Sequence, residues 1–151
     1  MCGITLRELC REDCKTLAAL EAQTFSDPWS EQAFEEELGC EYSITLVAVR
    51  GERVEGYLNA HHVLENVHIN TFCVRPESRR TGVGRLLLQE LIRRAEQLGG
   101  EEITLEVRAG NRAACGLYTS SGFRTVGVRK RFYRMPEEDA LIMKKELEKD
   151  G

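Results

Sequence analysis

The amino-acid sequence predicts an α/β (α+β) domain built around a mixed β-sheet. Segments with the two-residue period of strands alternate with segments of helical spacing, in the order β-α-α-β-β-β-α-β-α-β-β. A run of antiparallel strands, with a hairpin signal between the first two, leads into a β-α-β-α unit, and this combination is typical of a mixed sheet. The 151 residues contain no internal repeat and no linker. Residues 1–151 are therefore predicted to form one domain.

The first part of the chain is predicted to contain one strand and two helices. Apolar residues at helical spacing, among them Leu17 and Leu20, indicate the first helix. Ser30 is predicted to cap the second helix because its hydroxyl can accept a hydrogen bond from the first turn, and Gly39 is predicted to end it. The predicted bounds are a strand at 4–8 and helices at 12–24 and 30–38.

Three strands and a long helix are predicted next. Gly51, in the string Gly51-Glu52-Arg53, indicates a hairpin between the first two strands. Pro76 ends the third strand, which is rich in β-branched residues. The amphipathic helix that follows ends at Gly99, as helices often do. The predicted bounds are strands at 42–50, 54–62 and 67–74 and a helix at 84–98.

The last part is predicted to contain a strand, a short helix and a terminal hairpin. Apolar and polar residues alternate through the strand, which places Glu106 on the face opposite Leu105. Asn111 is predicted to cap the short helix, and Gly122 to close it. The predicted bounds are a strand at 103–108, a helix at 111–121 and strands at 123–132 and 140–147.

The charge and the apolar content argue against several classes of function. A net charge of −4 argues against a general affinity for nucleic acid or for an anionic membrane. No apolar run approaches the roughly 18 residues of a membrane span, and the N-terminus lacks a signal pattern. We therefore expect a cytoplasmic protein with no membrane association and no direct nucleic-acid binding.

The six cysteines are predicted to be free and mostly buried thiols. None belongs to a Cys-x-x-Cys pair, and the three histidines do not complete a zinc-finger pattern. Disulfides are not expected without a secretory signal, and no metal site is predicted. The cysteines are Cys2, Cys10, Cys14, Cys40, Cys73 and Cys115, and the histidines are His61, His62 and His68.

The most informative stretch is Arg79-Arg80-Thr81-Gly82-Val83-Gly84, which lies between a predicted strand and a predicted helix. Two glycines allow backbone N–H groups to converge, and the helix N-terminus adds a partial positive charge. This turn is therefore predicted to bind phosphate oxygens. It lacks the Gly-x-x-x-x-Gly-Lys-Ser/Thr string of a Walker P-loop. It also lacks the third glycine of a dinucleotide fingerprint, because Leu87 occupies that position.

Two motifs resemble those of the GNAT superfamily of N-acetyltransferases. The first is Arg79-x-x-Gly82-x-Gly84, which is similar to the pyrophosphate loop of that superfamily. The second runs from Leu105-Glu106-Val107-Arg108 through Asn111 and Leu117-Tyr118 to Gly122-Phe123. The resemblance implies the GNAT fold, a mixed, mostly antiparallel seven-stranded sheet flanked by four helices.

Flanking strings narrow the resemblance to the RimI-type ribosomal-protein alanine N-acetyltransferases. These strings are Asp27-Pro28-Trp29-Ser30, Leu105-Glu106-Val107-Arg108, Arg129-Lys130-x-Phe132-Tyr133 and Glu138-Asp139-Ala140-Leu141-Ile142-Met143. Acetyltransferases in general do not share them. The implied partner is the N-terminal segment of a small-subunit ribosomal protein that exposes an alanine.

The resemblance implies acetyl-CoA as cosubstrate and indicates the residues that would bind it. The glycine turn would hold the pyrophosphate, and the backbone of the preceding strand would pair with the pantetheine arm. The Val74 N–H is a candidate oxyanion donor. The implied cofactor-binding residues are Phe72, Cys73, Val74, Arg79, Arg80, Thr81, Gly82, Val83, Gly84, Arg85 and Asn111.

Glu106 and Tyr118 are the catalytic residues that the resemblance implies. From pattern alone Glu106 would be a solvated surface residue, and Tyr118 could equally be a packed aromatic. The resemblance makes Glu106 the base and Tyr118 the acid. An α-ammonium group, with a pKa of about 7.7–8.0, needs only a weak base, which can act through a water. A phenol with a pKa of about 10 can protonate a leaving thiolate.

Substrate contacts are implied for Trp29, Tyr133 and Arg134, which resemble the walls of the peptide groove in this family. The basic run Arg129-Lys130-Arg131 beside aromatic residues leaves RNA binding open as an alternative. The acidic runs Glu35-Glu36-Glu37 and Glu137-Glu138-Asp139 either face a basic substrate tail or are solvated.

Three functions remain open at this point. The resemblance implies an acetyl-CoA-dependent N-terminal acetyltransferase. An acetyltransferase for a small amine or an antibiotic would share the glycine turn but need not share the strings at Trp29 and Tyr133. A non-catalytic acyl-CoA sensor would have no use for Glu106 and Tyr118 together.

Overall fold

Seven strands within the described part of the chain form one sheet, in the order β1-β2-β3-β4-β5-β7-β6. The computed structural model describes residues 3–148. The strands are β1 (Ile4–Glu8), β2 (Ser43–Arg50), β3 (Arg53–Val63), β4 (Asn66–Val74), β5 (Glu102–Arg108), β6 (Arg124–Tyr133) and β7 (Glu138–Glu146). The α-helices are α1 (Cys14–Thr24), α2 (Glu31–Glu37), α3 (Val83–Gln97) and α4 (Arg112–Ser120). The predicted fold class and element order are confirmed.

The pairing of the strands makes this a mixed sheet. Antiparallel ladders join β1 to β2, β2 to β3, β5 to β7 and β6 to β7. The β4–β5 pair is parallel, with Asn66 opposite Glu102 and His68 opposite Thr104. Because side chains alternate between the two faces of a strand, this register places Asn66, His68, Glu102 and Thr104 on one face.

The described residues group into two compact units. The first contains the residues up to His61 together with Asn70–Leu91, and the second contains His62–Ile69 together with the residues from Ile92 onward. Strands β1 and β2 and helices α1 and α2 belong to the first unit, whereas β5, α4, β6 and β7 belong to the second. The single domain expected from the sequence stays a prediction.

The core of the first unit is formed by α1, α2 and the strands under them. The Phe34 ring lies 5.7 Å from that of Tyr57, centroid to centroid, in an edge-on arrangement that aromatic pairs prefer. Both side chains are fully buried. The remaining members of this cluster are Cys14, Leu17, Leu20, Val47, Val49, Val54 and Cys73.

The core of the second unit lies against one face of β5. Burial alternates along this strand, with Ile103, Leu105 and Val107 buried and the intervening polar residues partly exposed. Tyr118 on α4 packs near Phe123, with ring centroids 5.5 Å apart. The prediction that Glu106 lies on the face opposite Leu105 is confirmed.

Both predicted helix caps are present. The Ser30 hydroxyl accepts a hydrogen bond from the Ala33 N–H (3.1 Å), and the Asn111 side-chain oxygen accepts one from the Ala114 N–H (3.1 Å). Among residues 3–148, no helix is long and apolar enough to cross a membrane.

The first helix begins later than predicted. A 3-10 turn occupies Arg11–Asp13, and α1 begins at Cys14 rather than at residue 12. The Asp13 carboxylate accepts two hydrogen bonds from the Arg7 guanidinium (2.6 and 2.9 Å) and one from the Cys10 N–H (2.9 Å). Because these bonds anchor the turn to β1, they fix its tighter geometry before the helix starts.

The cysteines of the described chain are free, as predicted, but only two of them are buried. Cys14 and Cys73 are buried, Cys40 and Cys115 are partly exposed, and Cys10 is exposed. The prediction of mostly buried thiols is therefore wrong for these five. Cys10 lies outside the core because it precedes the anchored turn, where its thiol donates a hydrogen bond to Asp13. Cys2 lies outside the described residues.

Candidate active site

The glycine turn has the backbone shape of an anion-binding loop. Gly82 has a φ of +92°, and Arg80 has a φ of +66°, a value that is uncommon for a residue with a side chain. Helix α3 begins directly after it at Val83, so the N-terminal end of the helix, with its partial positive charge, lies at this loop. The Thr81 hydroxyl donates a hydrogen bond to the Ser78 carbonyl and fixes the loop internally. This arrangement fits a pyrophosphate group.

Strand β4 leads into this turn, and its last residues are the ones predicted to pair with the pantetheine arm. Cys73 is buried, while Phe72 and Val74 are partly exposed. The Arg79 side chain donates a hydrogen bond to the Val74 carbonyl (3.1 Å) and so ties the turn to the end of the strand. Gly56 permits this packing, because a Cβ there would lie 2.8 Å from the Cys73 carbonyl oxygen. The role of Gly56 was not foreseen from the sequence.

Trp29 is held by a buried carboxylate that sequence reasoning missed. Glu21, which is 1% exposed, accepts hydrogen bonds from the Trp29 N–H (3.0 Å) and the Tyr57 hydroxyl (2.8 Å). It also accepts one from the Thr71 hydroxyl. The Trp29 ring packs 5.1 Å from that of Phe34. Trp29 therefore packs against the core of the first unit, and its predicted role toward substrate stays a prediction.

Glu106 lies on the polar face of β5 and is 21% exposed. Its Oε1 atom lies 3.0 Å from the Nε2 atom of His68, on the neighbouring strand β4. The Arg129 Nε atom lies 3.8 Å from its Oε2 atom. The carboxylate is therefore positioned by neighbours and still reaches solvent, which a base that takes a proton from a substrate requires.

His68 was not identified as a site residue from the sequence. Its ring is hydrogen-bonded at both nitrogens, because Nδ1 lies 2.7 Å from the Thr104 hydroxyl and Nε2 contacts Glu106. These partners lie 36 and 38 residues away along the chain. The only sequence signal was the β4–β5 strand pairing, whose register is not visible in either strand alone.

Two phenols of the second unit, Tyr118 and Tyr133, have raised pKa values. Burial raises the pKa of Tyr118, and the nearby Tyr133 adds to the effect. Burial and the negative charge of Glu106 raise the pKa of Tyr133 to about 12, against the opposing charge of Arg108. Both phenols are therefore protonated at neutral pH. The predicted base, the predicted acid and one predicted substrate contact all belong to the second unit, and their roles stay predictions.

Arg108 organises the turn between β6 and β7, which carries Tyr133 and Arg134. Its guanidinium donates hydrogen bonds to the carbonyls of Pro136 (2.9 Å) and Arg134 (3.3 Å). It also lies over the Tyr133 ring, 4.4 Å from the centroid, at a distance suited to a cation–π interaction. The sequence analysis assigned no role to Arg108.

A second anchor holds the same turn close to the start of α4. The Glu138 carboxylate accepts a hydrogen bond from the Gly110 N–H (2.5 Å) and lies 3.3 Å from an Arg108 nitrogen. Because a Cβ at Gly110 would lie 2.6 Å from that carboxylate, the glycine allows this close contact. Asn111 follows directly. Its cap is observed, and its contact with the cofactor stays a prediction.

The charged runs of the terminal hairpin are paired in part with each other. Two ion pairs join the runs, Lys130 with Asp139 (3.5 Å) and Arg131 with Glu137 (3.4 Å), and Arg129 pairs instead with Glu106 on β5 (3.8 Å). The acidic run 137–139 is therefore already paired in part, so less of it is available to a basic substrate tail. The basic run 129–131, in turn, lies among carboxylates.

A second polar cluster lies in the first unit, at the end of α2. Glu37, Cys40 and His61 place an oxygen, a sulfur and a nitrogen within 4.8 Å of one another. Glu37 Oε1 already accepts hydrogen bonds from Ser43 (2.7 Å) and Asn59 (2.8 Å) and lies 2.7 Å from His61 Nε2. Although burial opposes it, these bonds lower the pKa of Glu37. The expectation of no metal site stays a prediction.

The chain belongs to the acetyltransferase (GNAT) family, whose sequence model matches residues 14–123. It is therefore an acyltransferase by family. The family resemblance inferred from the glycine turn and from the motif around Glu106 is confirmed.

Individual relatives extend over nearly the whole chain. The chain is 36% identical over 149 residues to N-alpha-acetyltransferase RimI of Mycobacterium tuberculosis, covering 95% of this chain and 92% of that protein. It is 33% identical over 141 residues to the [Ribosomal protein bS18]-alanine N-acetyltransferase of Salmonella typhimurium, covering 92% and 95%. The crystal structure of the ribosomal-protein-S18-alanine N-acetyltransferase from Escherichia coli superposes with a TM-score of 0.89 at 31% identity, covering 98% and 96%.

Proposed function

We propose that this chain transfers the acetyl group of acetyl-CoA to the N-terminal α-amine of a protein, with the N-terminal alanine of a small-subunit ribosomal protein as substrate. The observation that carries the proposal is the Glu106 carboxylate, which is partly exposed and positioned beside His68 on the polar face of β5. The substrate class comes from the relatives named above. We expect the reaction to take place in the cytoplasm, within a single GNAT domain over residues 1–151.

Acetyl-CoA would supply the activated acyl group as a thioester. The turn of residues 79–84 would hold its pyrophosphate, because Arg80 and Gly82 at positive φ and the start of α3 direct backbone donors to one place. Arg79, Arg80 and Arg85 would add positive charge. The backbone from Phe72 to Val74 would hold the extended arm.

Glu106 would accept the proton that the substrate α-ammonium must lose before its nitrogen can attack. Because the ammonium pKa is only about 7.7–8.0, a carboxylate acting directly or through one water is a sufficient base near neutral pH. The Arg129 Nε atom lies 3.8 Å from Oε2, and Oε1 contacts His68.

Tyr118 would donate the proton that the departing thiolate takes up. Burial raises the pKa of its phenol, so the proton is present throughout the neutral range. The same burial removes competing water from the hydroxyl. Tyr118 would therefore donate one proton in each turnover and be reprotonated from solvent afterwards.

The terminal hairpin would form one wall of the peptide site. Arg108 orients Tyr133 by stacking on its ring and holds the backbone of Arg134. Within the first unit, Trp29 is fixed through Glu21, and its contact with substrate stays a prediction. Because carboxylates interrupt the basic run 129–131, this hairpin offers no continuous positive surface to RNA, which would require one.

The proposal is tested by mass spectrometry of reaction products. The protein is incubated with acetyl-CoA and one amine substrate at a time. The substrates are peptides that begin with Ala, Ser or Met, and free polyamines. We expect one acetyl group on the alanine peptide, formed faster than on the methionine peptide.

Acetylation of the polyamines alone would instead indicate a small-amine acetyltransferase. Tight acetyl-CoA binding with no product on any amine would indicate a non-catalytic acyl-CoA sensor. Either result contradicts the proposal.

A further inference from the structure

We infer that His68 is a positioning residue for Glu106: it holds the carboxylate through its Nε2–H and is itself held in that tautomer by Thr104. The inference rests on the proposed function of Glu106 as the base. Behind the base, hydrogen bonds link Glu106 on β5 to His68 on β4, and His68 to Thr104 on β5.

The chain of contacts is continuous. The Asn66 amide nitrogen lies 3.1 Å from the Thr104 hydroxyl oxygen and donates a hydrogen bond to it. That oxygen lies 2.7 Å from His68 Nδ1, and His68 Nε2 lies 3.0 Å from Glu106 Oε1. The second Asn66 N–H donates to Glu102 Oε2 (3.0 Å), which fixes the amide at the far end.

For a neutral His68, the donors and acceptors along this chain have a single assignment. A side-chain amide nitrogen can only donate, so Thr104 accepts from Asn66 and its own proton is free to be donated to His68 Nδ1. A neutral imidazole whose Nδ1 accepts carries its proton on Nε2. Nε2–H then donates to the Glu106 carboxylate, which when ionised can only accept.

The sheet geometry explains why these groups meet. His68 and Thr104 are register partners in the parallel β4–β5 pair, and Asn66 and Glu102 are register partners two residues earlier. Glu106 lies two residues beyond Thr104 and therefore on the same face. Two adjacent rigid strands hold all five side chains, and catalytic positioning benefits from such support.

Two further side chains lie near the Glu106 carboxylate. Arg129 approaches the other carboxylate oxygen, and Tyr133 remains a neutral phenol because its pKa is raised to about 12. His68 donates one hydrogen bond whether Glu106 is ionised or has just gained its proton on Oε2, so no proton needs to leave the imidazole. Its contribution is to restrict the carboxylate to one orientation.

Paired variants of His68 and Thr104 test the inference. His68→Leu removes the donor, while His68→Gln places an amide N–H near the position of Nε2–H. Thr104→Val removes the hydroxyl that selects the tautomer, while Thr104→Ser keeps it. We expect kcat for an alanine peptide to fall about tenfold in His68→Leu, since a hydrogen bond to a charged group is lost. His68→Gln should restore most of that loss, and KM for acetyl-CoA should be unchanged in every variant.

Two further measurements separate positioning from structure. In a Glu106→Gln background, His68→Leu should change kcat less than about twofold, because the carboxylate it positions is absent. Nitrogen-15 spectra of the histidine side chains should show His68 as the Nε2–H tautomer in the wild type and in Thr104→Ser, with a larger Nδ1–H fraction in Thr104→Val, where Glu106 alone selects the tautomer.

The outcomes distinguish this inference from the proposed function. If Glu106→Gln is as active as the wild type, the base assignment is wrong and the role of His68 is overturned with it. If Glu106→Gln is inactive while His68→Leu turns over normally, only the inference about His68 is overturned. Equal effects of His68→Leu with and without Glu106 would also overturn it.

Discussion

At the scale of single residues, the candidate site combines an accessible carboxylate with a buried phenol. Glu106 is partly exposed and has a guanidinium nitrogen 3.8 Å from one oxygen. Tyr118 is buried, which raises the pKa of its phenol and keeps the hydroxyl protonated. A carboxylate that reaches solvent and a protonated phenol are the two kinds of group that the proposed acyl transfer to an ammonium substrate needs.

The acid role of Tyr118 gives a prediction that includes pH. In Tyr118→Phe, kcat should fall about tenfold to a hundredfold, because the departing thiolate loses its proton donor. Burial raises the pKa of Tyr118 above its ordinary value of about 10, so its proton should stay in place from about pH 6 to pH 9. The ratio of wild-type to variant kcat should therefore be flat across that range, as measured in initial-rate assays.

Tyr42→Phe is the matched control for this variant. Tyr42 is 51% exposed and belongs to the first unit, so removal of its hydroxyl should leave kcat unchanged. A wild-type advantage that disappears below pH 9 would contradict a buried, protonated Tyr118.

At the scale of elements, the β5 strand and the terminal hairpin define the second unit. Strand β5 places apolar residues on one face and Glu102, Thr104, Glu106 and Arg108 on the other. Two charged residues near its C-terminal end have different contacts. Glu106 faces His68, whereas Arg108 holds the turn that joins β6 to β7.

Arg108 therefore gives a prediction about the hairpin. Arg108→Gln loses the stacking on Tyr133 and the hydrogen bonds to the carbonyls of Pro136 and Arg134. Because these contacts order a predicted substrate wall, KM for the peptide should rise about fivefold, as expected for the loss of roughly 1 kcal/mol. KM for acetyl-CoA should not change, and amide hydrogen exchange in the turn should become faster.

Arg124→Gln provides a control within the same hairpin. Arg124 and Glu146 form an ion pair of 3.3 Å in which both side chains are mostly exposed, so its loss should have little effect. An equal rise in KM for both substrates in Arg108→Gln would show that Arg108 supports the unit as a whole rather than the substrate wall.

Strand and helix positions were largely predictable because their signals are local. Ser30 and Asn111 act as caps within three residues of the groups they bind, and the alternation in β5 places Glu106 correctly from five neighbouring letters. The contacts of His68 depend on the register between β4 and β5, which neither strand encodes alone. Helix α1 starts late because Arg7, on strand β1, binds the Asp13 carboxylate.

At the scale of the whole molecule, the sequence predicted the sheet, the four helices and the family, and these agree with the structure and the relatives. The residues of the candidate site differ in whether a local sequence motif reveals them. Backbone sites such as the turn around Gly82 are visible as motifs because glycine is needed at positive φ. Supporting residues such as Glu21 and Arg108 are not visible, because their partners are scattered along the chain.

The most direct test of the central claim uses one alanine-initiated peptide with an internal lysine, supplied with a free or a chemically blocked α-amine. The full-length protein and its Glu106→Gln variant are each incubated with acetyl-CoA, and the acetylated residue is located by fragmentation in the mass spectrometer. We expect acetylation of the α-amine by the wild type, about a hundredfold slower product formation by Glu106→Gln, and no product on the blocked peptide. Acetylation of the lysine in the blocked peptide at the same rate, or full activity of Glu106→Gln, would contradict it.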